Sequence, residues 1–144
     1  MRCAFGADGV GPLTDALLDE FDRRGIVVER FGAVRSPDDT EWASVARRVG
    51  DAVARGRADV GIVCCWTGTG VSIAANKVRG VRAALCGDAA TAEGARRWND
   101  ANVLALSMRA TAPAVGLEIV DAFLRTAPSD DPADRRSIAA VEGP

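Results

Sequence analysis

The 144-residue sequence contains no histidine. Zinc-finger patterns need spaced Cys or His pairs, and the four cysteines, Cys3, Cys64, Cys65 and Cys86, do not form them. The adjacent pair lies in a strand-like run, where successive side chains point to opposite faces. No metal site is expected. An excess of one charge is missing too: 18 Lys plus Arg face 20 Asp plus Glu, for a net charge of -2. No basic field exists to draw in a nucleic acid or an anionic membrane. No apolar run reaches the roughly 18 residues of a membrane span, and no leader precedes the first strand pattern. A cytoplasmic protein with buried, reduced thiols is therefore expected. There is no linker and no repeat, so one domain over residues 1–144 is expected, with a tail or helix from about residue 128.

Apolar residues make up 48% of the chain, the usual share for a globular domain. Short apolar runs alternate with helical periodicities. Strands are expected at Arg2–Gly6, Ile26–Phe31, Asp59–Cys65, Val81–Cys86 and Val103–Leu106. The first helix carries Leu13, Leu17, Leu18 and Phe21, with Pro12 at its start and Gly25 at its end. The second carries Trp42, Val45, Val49 and Val53. Further helices are expected over about Val71–Lys77, Ala89–Trp98 and around Val115–Phe123, with a short frayed one before Pro144. This alternation predicts an α/β fold, a Rossmann-like doubly wound parallel sheet of about five strands. Ligands in such sheets bind outside the carboxyl ends of the strands.

Three loops there can carry chemistry. GADGVG (Gly6–Gly11) lacks the G-x-G-x-x-G spacing, and no acid ends the second strand, so a nucleotide cofactor is not expected. Asp8 within it can grip sugar hydroxyls or simply cap a helix. CCWTGTG (Cys64–Gly70) turns sharply from a strand into a helix, and its amides make an anion site for a phosphate or an enediolate oxygen. It lacks the GK[ST] ending of a Walker A loop. Cys65 at its rim can take a proton from a carbon beside a carbonyl. WNDANV (Trp98–Val103) is expected at the same edge of the sheet, with Arg109 just past the fifth strand.

Taken together, GAD at the N-terminus, GIVCCWTGTGVSIAANKVRGVRAALC (Gly61–Cys86) and NDANVLALSMR (Asn99–Arg109) resemble the ribose-5-phosphate isomerase B family, which includes isomerases of galactose 6-phosphate. The resemblance implies a metal-free, cofactor-free aldose–ketose isomerase that works through a cis-enediolate. It also implies a homodimer or homotetramer in which two subunits share each site. By that resemblance Cys65 is the base, Thr67 assists ring opening or oxyanion binding, and Asn99 holds a substrate oxygen. Gly68, Thr69 and Gly70 line the anion hole. Asp8 is the acid of an Asp-His pair, and Arg109 and Arg136 lie at the sugar or phosphate end.

The chain departs from the family pattern at telling places. Gly9 and Trp98 stand where histidines are expected. Trp66 replaces a glycine after the cysteine, and Pro132 stands near the first arginine of a C-terminal clamp. An indole cannot shuttle protons near neutrality, though Trp66 and Trp98 can stack on a sugar. A small sugar or sugar phosphate remains the expected substrate. A non-catalytic sugar-binding subunit of a hetero-oligomeric isomerase is the alternative.

Overall fold

A computed structural model describes residues 1–143 of the chain. Its strands are β1 (Arg2–Ala7), β2 (Val27–Gly32), β3 (Val60–Cys65), β4 (Ala83–Leu85) and β5 (Val103–Ser107). All pair in parallel, in the order β2-β1-β3-β5-β4. The unbroken apolar run of β3 sits at the centre and is buried throughout, as suits a strand covered on both faces. The helices are α1 (Pro12–Arg23), α2 (Trp42–Ala54), α3 (Thr69–Ala75), α4 (Ala89–Asn99), α5 (Pro113–Arg125) and α6 (Pro132–Val141).

Strand alternation sorts the core into two layers. Cys3, Phe5, Ile62, Cys64, Leu104 and Leu106 face α1, α4 and α5. Ala4, Val63, Cys65, Val103 and Ala105 face α2 and α3. Cys64 and Cys65 thus point to opposite faces, as the period of two requires. Each fully buried Leu or Phe in these layers contributes about 1.5–3 kcal/mol relative to exposure. α2 can lie close against the sheet because Gly6 has no side chain there: a Cβ on it would stand 2.7 Å from the Val45 Cγ1.

Several boundaries differ from the sequence expectation. β4 is an edge strand of three residues, not six. Before it, the Val81 amide turns back to Val78 and the Arg82 amide donates to the Asn102 side chain, so neither enters the ladder as a strand residue. α3 starts two residues early, at Thr69, because Gly68 makes the whole turn. α4 runs on through Asn99. The terminal helix is α6, and Pro144 lies outside the described residues. Among the described residues, no helix is long and apolar enough to cross a membrane.

From β1 the chain moves outward to β2, and from β3 it moves the other way to β5 and β4. The strand order therefore switches between β1 and β3, where open α/β sheets leave a crevice at their carboxyl ends.

Candidate active site

Asp8 follows β1, Cys65 ends β3 with Trp66 just past it, and Met108 and Arg109 follow β5. Main-chain bonds continue past the strand ends and bind these three segments together. The Asp8 amide donates to the Cys64 carbonyl (3.3 Å), the Met108 amide to that of Cys65 (2.9 Å) and the Arg109 amide to that of Trp66 (2.9 Å). The Ser107 hydroxyl adds a second donor to the Trp66 carbonyl at 2.9 Å.

A cavity of about 280 Å³ opens beside this junction, lined by Asp8, Trp42, Cys65, Trp66, Thr67, Thr69 and Gly70. Cys65 is 6% exposed, whereas Cys3, Cys64 and Cys86 are closed in the core at 1%, 0% and 1%. Burial pushes the Cys3 thiol up to about 12 and the Cys64 thiol upward as well. Burial and then the Asp88 charge push Cys86 up to about 11. Thr67 and Thr69 share a hydrogen bond of 2.7 Å between their hydroxyls at the cavity rim. Gly68 has φ +76°, and a Cβ there would lie 2.5 Å from the Leu85 Cδ1 and 2.9 Å from the Leu106 backbone carbon. Only glycine fits both demands. The turn it makes leaves the first amides of α3 without intrahelical acceptors, as at any helix start, and α3 begins on the cavity wall.

Asp8 is half-buried, and desolvation raises its carboxyl above the ordinary value, partly offset by a backbone amide. A carboxyl raised in the folded state adds stability below its unfolded pKa and loses it as pH rises through the folded one. Asp8→Asn removes that loss. The variant is expected to melt higher than the wild type at pH 7, with the gap closing below about pH 4, the ordinary aspartate range. Melting curves at both pH values check this, and an unchanged gap would contradict it.

The structure corrects the expectation that Trp98–Val103 shares this edge. Between parallel strands a helix runs back across the sheet, so the end of α4 lies at the amino ends of the strands. Asn99, the last residue of α4, lines a cavity with Asn76, Arg82 and Ala101 instead. Trp98 is 56% exposed on the same turn. Asp100 follows in the left-handed conformation at φ 44°. Its carboxylate accepts from Arg82 and Arg96, each at 3.0 Å, which fixes how α4 ends. Arg82 also pairs with Glu142 at 2.9 Å, beyond the end of α6. Arg136 is exposed on α6, a helix that buries none of its residues in the chain. Asp8, Gly9, Cys65, Trp66, Thr67, Gly68, Thr69, Gly70 and Arg109 thus gather at the carboxyl edge, while Trp98, Asn99 and Arg136 do not join them within one chain.

One wall of the cavity was not foreseen. Trp42, the first residue of α2, lays its indole on Gly70, where a Cβ would meet the ring at 3.0 Å. Its spacing from Val45 and Val49 reads as ordinary helix periodicity, and only the contact with Gly70 reveals the role. Among the described residues, no three His, Cys, Asp or Glu side chains are grouped as a metal ion requires.

A family model described as Ribose/Galactose Isomerase matches residues 4–141. The chain is 40% identical over 124 residues to ribose-5-phosphate isomerase B of Escherichia coli (strain K12), spanning 85% of this chain and 83% of that one. It is 35% identical over 125 residues to D-erythrulose-4-phosphate isomerase of Pectobacterium atrosepticum, spanning 86% and 82%. The solved structure of Clostridium thermocellum ribose-5-phosphate isomerase B superposes with a TM-score of 0.91 at 35% identity, over 99% of this chain and 95% of that one.

Proposed function

The chain belongs to the ribose/galactose isomerase family and is an aldose–ketose isomerase, and from this premise we propose that Cys65 is its proton-transferring base and that its substrate is a small sugar or sugar phosphate. One observation carries the assignment: Cys65 lines a cavity with Asp8, Thr67 and Thr69, while the other three thiols are shut in the core.

The Cys65 thiolate takes the proton from C2 of the aldose. The electron pair left behind forms the C1–C2 double bond, and the aldehyde oxygen becomes an oxyanion. The thiol returns the proton to C1, while the hydroxyl proton passes from O2 to O1. The Thr67 and Thr69 hydroxyls and the first amides of α3 stabilise the enediolate where its charge develops. Asp8 accepts hydrogen bonds from substrate hydroxyls.

Two copies of the chain complete each site in this proposal, with Asn99 of the partner subunit reaching the cavity. The exposed Trp98 and the unburied α6 support such pairing. Residues 1–144 act as one domain, in the cytoplasm, where four free thiols are at home.

Ring opening has no imidazole to help it, since the chain has no histidine. The expected result is a kcat/KM for ribose 5-phosphate, which is ring-closed, below about 10⁴ M⁻¹s⁻¹, the lower ordinary range. Open-chain ketoses of other isomerisations, such as erythrulose 4-phosphate, should do better. A kinetic panel with pentose and tetrose phosphates and unphosphorylated keto-sugars tests this. If ribose 5-phosphate exceeds that value and also exceeds the tetrose phosphates and keto-sugars of other isomerisations, unassisted ring opening is no obstacle. Binding without any turnover would support a non-catalytic sugar-binding subunit instead.

A further inference from the structure

The cavity at Cys65 has a neighbour across Trp66. A second chamber of about 150 Å³ is walled by Val10, Pro12, Leu13, Thr14, Met108 and the same Trp66. No charged side chain lines it. Its one polar side chain is already engaged: the Thr14 hydroxyl accepts from the Gly11 amide and donates to the Gly11 carbonyl, both at 2.9 Å. Met108 closes the chamber toward Gly9, where an added Cβ would lie 3.5 Å from the Met108 Cε.

Trp66 is held while exposed. Its carbonyl is gripped by Ser107 and Arg109, yet the residue remains 65% exposed. Its main chain is thus pinned, while its solvent-facing indole lines both the polar and the apolar chamber and can stack on a ligand that spans them.

We propose that the second chamber is a binding subsite for the unreactive end of the substrate, and that this end is uncharged, a terminal methyl or hydroxymethyl group packed against Trp66. This rests on the isomerase function proposed above. The reacting carbons lie at Cys65 among hydroxyls and amides, and the carbon chain crosses the indole face into the apolar chamber. A phosphate carried there would lose hydration against Val10, Leu13 and Met108, and no charged side chain of the same chain lines the chamber in return. Arg109 follows Met108 directly, but its side chain does not line the chamber. Trp66 thereby determines specificity, selecting short unphosphorylated or deoxy sugars over sugar phosphates.

The test compares 5-deoxyribulose with ribulose 5-phosphate. Neither can close a five-membered ring, so ring opening drops out of the comparison. For the wild type, kcat/KM is expected to favour 5-deoxyribulose by at least about tenfold, the scale of apolar pocket discrimination. In Trp66→Gly, KM for 5-deoxyribulose should rise by about tenfold or more while that for ribulose 5-phosphate moves by less than about threefold. Trp66→Phe should restore the preference, which a general loss of fold would not allow. A wild-type preference for ribulose 5-phosphate, or an equal loss for both substrates in Trp66→Gly, overturns the subsite. Should neither compound turn over, the isomerase function fails on its own. The subsite is then read from binding: 5-deoxyribulose must quench wild-type tryptophan fluorescence more than that of Trp66→Phe, and equal quenching overturns it.

Discussion

Replacing Cys65 with alanine is expected to lower kcat by at least about a hundredfold, the low end of what a positioned general base contributes. The reason is location. Sγ of Cys65 sits on the face of β3 toward α2 and α3 and opens on the cavity, whereas Cys64 points into the opposite layer. Cys64→Ala should spare the chemistry and instead reduce stability, by about 1 kcal/mol for a small buried truncation. Iodoacetamide provides an independent reading. Only a thiolate reacts, and burial holds Cys3, Cys64 and Cys86 protonated. Peptide mapping should find Cys65 labelled first, with activity falling in step. First labelling of Cys64 or Cys86, or an active Cys65→Ala enzyme, would remove the base assigned here.

The second large effect is recovery of activity from two dead proteins. If Asn99 acts in the site of its partner, Cys65→Ala and Asn99→Ala each fail alone, because every site in each dimer lacks one group. Mixed after mild dissociation, about half of the dimers contain one subunit of each kind, and each of these holds one intact site. The mixture should regain about a quarter of the wild-type rate. No recovery would mean that Asn99 serves only its own chain, at the amino ends of the strands, where Arg82 and Arg96 fix the adjoining Asp100. Sedimentation of the wild type at micromolar concentration belongs with this experiment. A 15 kDa monomer would exclude shared sites.

Much of this site was legible because it depends on local rules. The apolar run into β3, the glycine turn behind it and the period of two together placed Cys65 on an open rim and Cys64 in the core. Asn99 was misplaced for a reason that topology supplies. In a parallel sheet every segment between a helix and the next strand lies at the amino edge, however chemically suggestive its residues are. The shortness of β4 was hidden because Arg82 and Asn102 satisfy each other through side chain and backbone, which composition does not reveal. Trp42 was hidden by its own regularity: it continues the stripe of α2, and its contact with Gly70 joins segments far apart in the chain.

The bonds that join Asp8, Cys65, Trp66, Met108 and Arg109 are almost all made by the main chain. Any residue but proline can supply such an amide. The framework of the crevice therefore does not depend on the side chains mounted on it. A glycine at position 9, an indole at 66 and a methionine at 108 occupy that frame at no cost to its geometry. Such a scaffold can change what it accepts before it changes what it does, because Cys65 and the turn behind it keep their places whatever the rest of the lining becomes.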